Sequence, residues 1–97
     1  MEQSSSEKVR YRIIFDGRVQ GVGFRFTARE TANRLGLTGW VCNQYDGTVL
    51  MEVQGRRETI EKMILSLERA PFIEIMSAQK KEIPLSEYDI YFEVRYD

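Results

Sequence analysis

The stretch from Gly17 to Arg25 reads GRVQGVGFR, with three glycines in seven positions, then an aromatic and an arginine. The run before it alternates like a strand, and the run after it repeats like a helix. A glycine-rich turn from strand into helix aims several backbone N–H groups at one point, and the helix start adds partial positive charge there. Such a concavity binds anions, and phosphate fits it best. Gly21 and Gly23 let the backbone turn inward without a Cβ in the way. Arg25, just inside the helix, carries a planar fork able to take two phosphate oxygens. The same residues also suit a plain tight connection beside a solvated arginine, and at this level both readings stand. The stretch is neither a Walker loop, which needs Gly-Lys-Ser/Thr, nor the dinucleotide fingerprint, since GVGFRF lacks the third glycine.

A second polar residue, Asn43, closes a strand-like run just before the turn QYDG. If the fold brings it to the glycine loop, its amide offers both a donor and an acceptor to a water molecule. The alternative is an asparagine that bonds its own backbone ahead of a turn.

The elements that must position these residues follow from periodicity. Val9, Tyr11, Ile13 and Phe15 alternate with Arg10, Arg12 and Asp16, which predicts a strand with one buried face. Phe24, Ala28, Ala32 and Leu35 recur at helical spacing, with Gly36 as a left-handed cap and Leu37 packing back on it. LTGWVCN, 37–43, predicts a second strand, Asp46-Gly47 a hairpin turn, and Val49, Met51 and Val53 a third strand. Ile60, Met63, Ile64 and Leu67 form one apolar helical stripe, stopped by Pro71. Phe72–Ile83 predicts a fourth, polar strand, and Tyr88, Ile90, Phe92, Val94 and Tyr96 alternate as a final one. The order is βαββαβ with an extra C-terminal strand. Two helices cannot cover both faces of such a sheet. The expected fold is therefore α+β, a ferredoxin-like split βαβ sandwich: an antiparallel sheet with both helices on one face.

The chain has 97 residues, which predicts one domain, here 8–97 behind a disordered tail, 1–7. Hydrophobic content of 42% and charged content of 30% are those of an ordinary soluble globule. A formal net charge of −1 provides no global field for nucleic acid or an anionic membrane. The N-terminus MEQSSSEK has no apolar core of a secretory signal, and no apolar run approaches the roughly 20 residues that span a bilayer. Cys42 is the single cysteine and there is no histidine. No internal disulfide is available, a thiolate or imidazole zinc site is excluded, and a cytoplasmic location is expected. Any catalysis must run without the commonest general base. Trp40 is expected in the core or at its edge, Cys42 on the face opposite Asn43, and Arg56-Arg57 and Lys80-Lys81 in solvent.

Taken together, GRVQGVGFR and LGLTGWVCNQYDGTV resemble the acylphosphatase family. The family pattern is Gly-x-Val-Gln-Gly-Val-x-Phe-Arg, then Gly-x-Val-x-Asn-x-x-Asp-Gly-x-Val. Gly17, Val19, Gln20, Gly21, Val22, Phe24 and Arg25 match the first part, and Gly39, Val41, Asn43, Asp46, Gly47 and Val49 the second. The ending FEVRY is similar to the family's last strand, so the resemblance runs over roughly residues 8 to 96. Ala70-Pro71 stands where members often carry Gly-Pro, and the Ile-Glu-Ile-Met run after Phe72 is unusual.

The resemblance implies the ferredoxin-like sandwich and an enzyme that hydrolyses acyl phosphates to a carboxylate and inorganic phosphate. It implies Arg25 as phosphate clamp, and the backbone amides of Gln20, Gly21, Val22, Gly23 and Phe24 as a cradle for the equatorial oxygens. Asn43 would orient a water for in-line attack. A carboxylate leaves readily, so no cofactor, metal or phosphoenzyme is expected. The expected partner is a small-molecule acyl phosphate, with phosphate as product, no nucleic acid, no membrane, and a monomeric chain. Two rivals share the fold: a base-stacking RNA module, whose Lys/Arg-rich strand motif is missing, and a non-catalytic phosphate- or carbamoyl-phosphate-binding module.

Overall fold

Alternation along the first strand sets the frame for the rest. In the computed structural model, which describes residues 7–96, Val9, Tyr11, Ile13 and Phe15 are buried while Arg12 and Asp16 face solvent. The elements are β1 (Lys8–Arg18), α1 (Phe24–Arg34), β2 (Thr38–Asn43), β3 (Val49–Arg56), α2 (Arg57–Arg69), β4 (Glu74–Ile83) and β5 (Phe92–Val94). They form a five-stranded sheet in the order β4-β1-β3-β2-β5. Its buried face, with Ile13, Phe15, Val41, Met51 and Val53, meets Phe24, Ala28 and Ala32 of α1 and Ile60, Met63 and Leu67 of α2 in one core. Burying each of the larger of these side chains contributes about 1.5–3 kcal/mol. Both helices therefore lie on one side of an α+β sandwich, as the periodicity predicts.

Two registers matter for function. Phe15 lies opposite Val49, and Val49 opposite Asn43, so the end of β1, the start of β3 and the end of β2 share one rim of the sheet. Arg10, Gln54 and Thr38 form a row toward the opposite rim. The cap at Gly36 is as expected: its φ is 77°, and Leu37 N–H donates to the Ala32 carbonyl at 2.8 Å.

The expected antiparallel pairing holds for β1 to β4, whereas β5 enters parallel to β2, making the sheet mixed. The final strand is also shorter than the alternation predicts. Residues 84–91 must carry the chain from β4 at one edge to β5 at the other. Their polar groups bond to the open face on the way: Ser86 exchanges two hydrogen bonds with Gln54, and Asp89 accepts from Arg10 at 2.6 Å. Tyr88 and Ile90, read from their alternation as half of a buried face, are 88% and 86% exposed. The fourth strand begins at Glu74 rather than Phe72, which is exposed beside the turn. The expected tail lies outside the described residues, apart from Glu7.

Candidate active site

The loop between β1 and α1 is shaped by its glycines. Gly21 has φ 74°, and Gly23, the residue capping α1, has φ 82° and ψ 16°. Both lie in the left-handed region, where a side chain costs on the order of 1–2 kcal/mol. A Cβ at either would meet nothing within 4 Å, so the backbone here borders open space. The first bond of the helix runs from Thr27 N–H to the Gly23 carbonyl at 2.9 Å. Among the described residues, the amides of Gln20, Gly21, Val22, Gly23 and Phe24 donate to no backbone carbonyl. The first turn of α1 carries no acidic residue and has no side-chain cap. Its partial positive charge is thus left uncompensated, which suits an external anion.

Side chains of the loop hold it in place. The Gln20 amide nitrogen donates to the carbonyls of Gln44 and Thr48, both at 2.8 Å, tying the loop to the β2–β3 hairpin. Phe24 is buried and its ring lies 5.0 Å from that of Phe15. Val22 is half-buried against the core.

Above the loop lies a cavity of about 270 Å³ lined by Gly21, Gly23, Phe24, Arg25 and Asn43 among others. Five of the seven residues expected at the site thus border one space; Gln20 and Val22 are not among its lining residues. Arg25 makes no ion pair among the described residues, and its guanidinium sits 5.2 Å from the centre of the Tyr96 ring. Asn43 shares the helix-side face of β2 with buried Val41. Its Oδ1 is a buried acceptor with no hydrogen-bond partner among the described residues. Such an atom costs on the order of 1–3 kcal/mol unless something donates to it. No Asp or Glu lines the cavity, and among the described residues no three His, Cys, Asp or Glu side chains gather as a metal site.

Five further residues line the cavity: Val19 and Val94, which are apolar, and Phe26, Arg29 and Tyr96, none of them expected at the site from sequence. Arg29 lies one turn after Arg25, and the i, i+4 spacing was the available signal. It also pairs with Glu30 at 3.7 Å and lies over the Phe26 ring. Phe26 and Tyr96 are exposed aromatics at the cavity's edge. Tyr96 arrives only because β5 docks beside β2, which no local pattern encodes. Trp40 is half-buried with the Arg95 guanidinium 4.9 Å from its ring centre, and Cys42 is buried.

The family model named Acylphosphatase matches residues 11–94. The acylphosphatase of Ligilactobacillus salivarius is 41% identical over 81 residues, covering 81% of this chain and 90% of the relative. The crystal structure of acylphosphatase from Bacillus subtilis superposes with a TM-score of 0.83 at 34% identity, over 91% of this chain and 99% of that one. The structure of an acylphosphatase from Coxiella burnetii gives 0.82 at 32% identity, over 98% and 100% of the two chains.

Proposed function

The chain belongs to the acylphosphatase family, and from that premise we propose how its own residues carry out the hydrolysis of an acyl phosphate to a carboxylate and inorganic phosphate. The observation that carries the reading is the meeting of three features at one cavity: open glycine-loop amides, the unpaired Arg25 guanidinium and the orphaned Asn43 oxygen.

The phosphoryl group sits on the amides of 20–24, with Arg25 taking two of its oxygens. Charge is present on those oxygens in the ground state and the transition state alike, so this part of the site mainly binds and positions. Asn43 Oδ1 accepts a hydrogen bond from a water and holds it in line with the scissile bond. The water oxygen forms the new bond to phosphorus as the bond to the acyl oxygen breaks. The electron pair leaves with the carboxylate, and the water's proton passes to a phosphoryl oxygen. No side-chain base is required, in keeping with a site bordered by neither histidine nor carboxylate.

The reading extends to a metal-independent reaction in a monomeric, cytoplasmic enzyme without nucleic-acid or membrane partners. Among the described residues no helix is long and apolar enough to cross a membrane. The test is benzoyl phosphate hydrolysis with and without EDTA. Full turnover in EDTA, with competitive inhibition by phosphate, is expected. Loss of turnover restored by Mg²⁺ would overturn the mechanism, and noncompetitive inhibition would move the anion site elsewhere.

A further inference from the structure

At the end of the molecule away from the glycine loop lies a second cavity, about 550 Å³, bordered by Lys8, Arg34, Arg56 and Lys62 and by no acidic residue. None of these four cations makes an ion pair or side-chain hydrogen bond among the described residues. Register makes the concentration of charge unfavourable by itself. Lys8 stands directly opposite Arg56 across the antiparallel β1–β3 pair, and like charges so placed repel. Arg56 caps α2, and Thr59 and Lys62 follow at i+3 and i+6; the positive potential of the helix start is partly offset there by Glu58 in the first turn. Arg34 closes the group from the last turn of α1, where it also complements the end of that helix. A chain with a formal net charge of −1 therefore carries a local field of the opposite sign.

We propose that this cavity is a second anion site, separate from the catalytic one, for a small molecule bearing two or more phosphate groups. Two observations select that class. Four unneutralised cations exceed what one orthophosphate balances, and the space is about twice the 270 Å³ of the catalytic cavity. Leu35 and the edge of buried Leu37 also line it, so the cavity offers some apolar wall for an organic group joined to the phosphates. Arg56, by its sequence an ordinary solvated residue, becomes the centre of the site, because β-pairing brings Lys8 to it and α2 brings Lys62.

The test is a titration of the isotope-labelled full chain with inorganic tripolyphosphate, followed by amide chemical shifts at low salt. Two separate sets should move: 20–25 at the catalytic loop, and Gly36, Gly55, Thr59 and Lys62 at the far end. Arg56→Ser/Lys62→Ser should weaken binding at the second set by about tenfold or more, since half of its charge-assisted contacts are gone. The same variant should keep the first set and its benzoyl phosphate turnover. Arg56→Lys/Lys62→Arg, which keeps the charges, should retain most of the affinity. An arm with ATP shows whether the site takes a nucleotide or an inorganic chain. Shifts confined to 20–25, or a second set unchanged in the serine variant, overturn the proposal. So does a second set moved by a single-stranded RNA oligonucleotide but not by tripolyphosphate. Failure of the first set alone would count against the catalytic reading and leave this one intact.

Discussion

In the proposed mechanism Arg25 and Asn43 divide the chemistry in a way that mutation separates. Arg25 would meet charge that exists before, during and after the reaction. Arg25→Lys keeps that charge but loses the fork, so phosphate binding should weaken and kcat should fall together. Asn43, in the same proposal, would face the water. Asn43→Ala should lower kcat on the order of 10²–10³-fold, the usual cost of one preorganised polar contact, or about 2.7–4 kcal/mol of barrier. The phosphate inhibition constant should barely move. The variant is expected to remain folded, since it removes an acceptor that has no partner among the described residues. Steady-state kinetics with a phosphate inhibition series measures both effects. If Asn43→Ala lost phosphate affinity and kept its kcat, Asn43 would be a phosphate ligand and the water would need another partner.

At the scale of elements, the loop and the hairpin act as one unit. Gln20 joins them by bonding two hairpin carbonyls, and Asp46 braces the hairpin from within. Its Oδ1 accepts from the Thr48 hydroxyl at 2.6 Å and from the Thr48 N–H at 3.0 Å. Gln20→Ala should destabilise the fold by about 1–3 kcal/mol, the net worth of two hydrogen bonds at about 0.5–1.5 kcal/mol each; the Gln44 carbonyl keeps the Gly47 N–H at 3.1 Å and the Thr48 carbonyl keeps the Gln44 N–H at 2.9 Å, and urea denaturation reads the loss directly. The Thr48 hydroxyl, then its amide, hold the Asp46 carboxyl below its ordinary value of 3.8. Its folded value is depressed, so its contribution is full above the unfolded value and is lost as pH falls through the folded one. Asp46→Asn should therefore lessen the acid destabilisation below about pH 4.

Gly21→Val tests the loop itself. A Cβ there has room, so the strain comes from φ 74° rather than from collision. Activity should fall further than stability, since relieving φ would turn the amides away from the cavity.

These elements differ in how openly the sequence announces them. Gly21, Gly23, Arg25 and Asn43 sit at element ends marked by turn residues and periodicity, so their positions could be read locally. The partners of Gln20 lie 24 and 28 residues away and depend on a pairing that no local pattern specifies. The alternation from Tyr88 to Tyr96 misled for the same reason. Only three of its residues find a strand to pair with, and residues 88–91 belong to the crossing.

That crossing is what integrates the whole molecule. Arg10, only 4% exposed, lies on the open face of the sheet and bonds Glu52 at 2.9 Å, Asp89 at 2.6 Å and Gln54 at 3.2 Å. Through Asp89 it fastens residues 84–91 over the rim opposite the catalytic loop. This crossing leads directly into β5 and so to Val94 and Tyr96 at the catalytic cavity. A buried charge group of this kind is weak evidence of net stabilisation, but removing one member is costly because the others stay behind. Arg10→Ala strands the Asp89 carboxylate and leaves Glu52 only its 3.9 Å pair with exposed Arg12, so it should destabilise by about 3 kcal/mol, the lower end for a broken buried pair, given that Glu52 and Asp89 are 17% and 14% exposed. Arg10→Ala/Asp89→Asn/Glu52→Gln removes the three buried or half-buried charges, leaving exposed Arg12 in solvent, and should recover part of that loss. At temperatures where each variant is folded, the fastener's distance from the loop predicts unchanged kcat for Arg25- and Asn43-dependent chemistry. Val94 and Tyr96 are the route by which the variants could reach the site. Urea midpoints and kcat of the single and triple variants, measured together, separate the two roles. If the triple variant proved less stable than Arg10→Ala, the charges would be contributing net stability in place of merely tolerating one another. If kcat fell in proportion to stability in both, the crossing would be coupled to catalysis through β5.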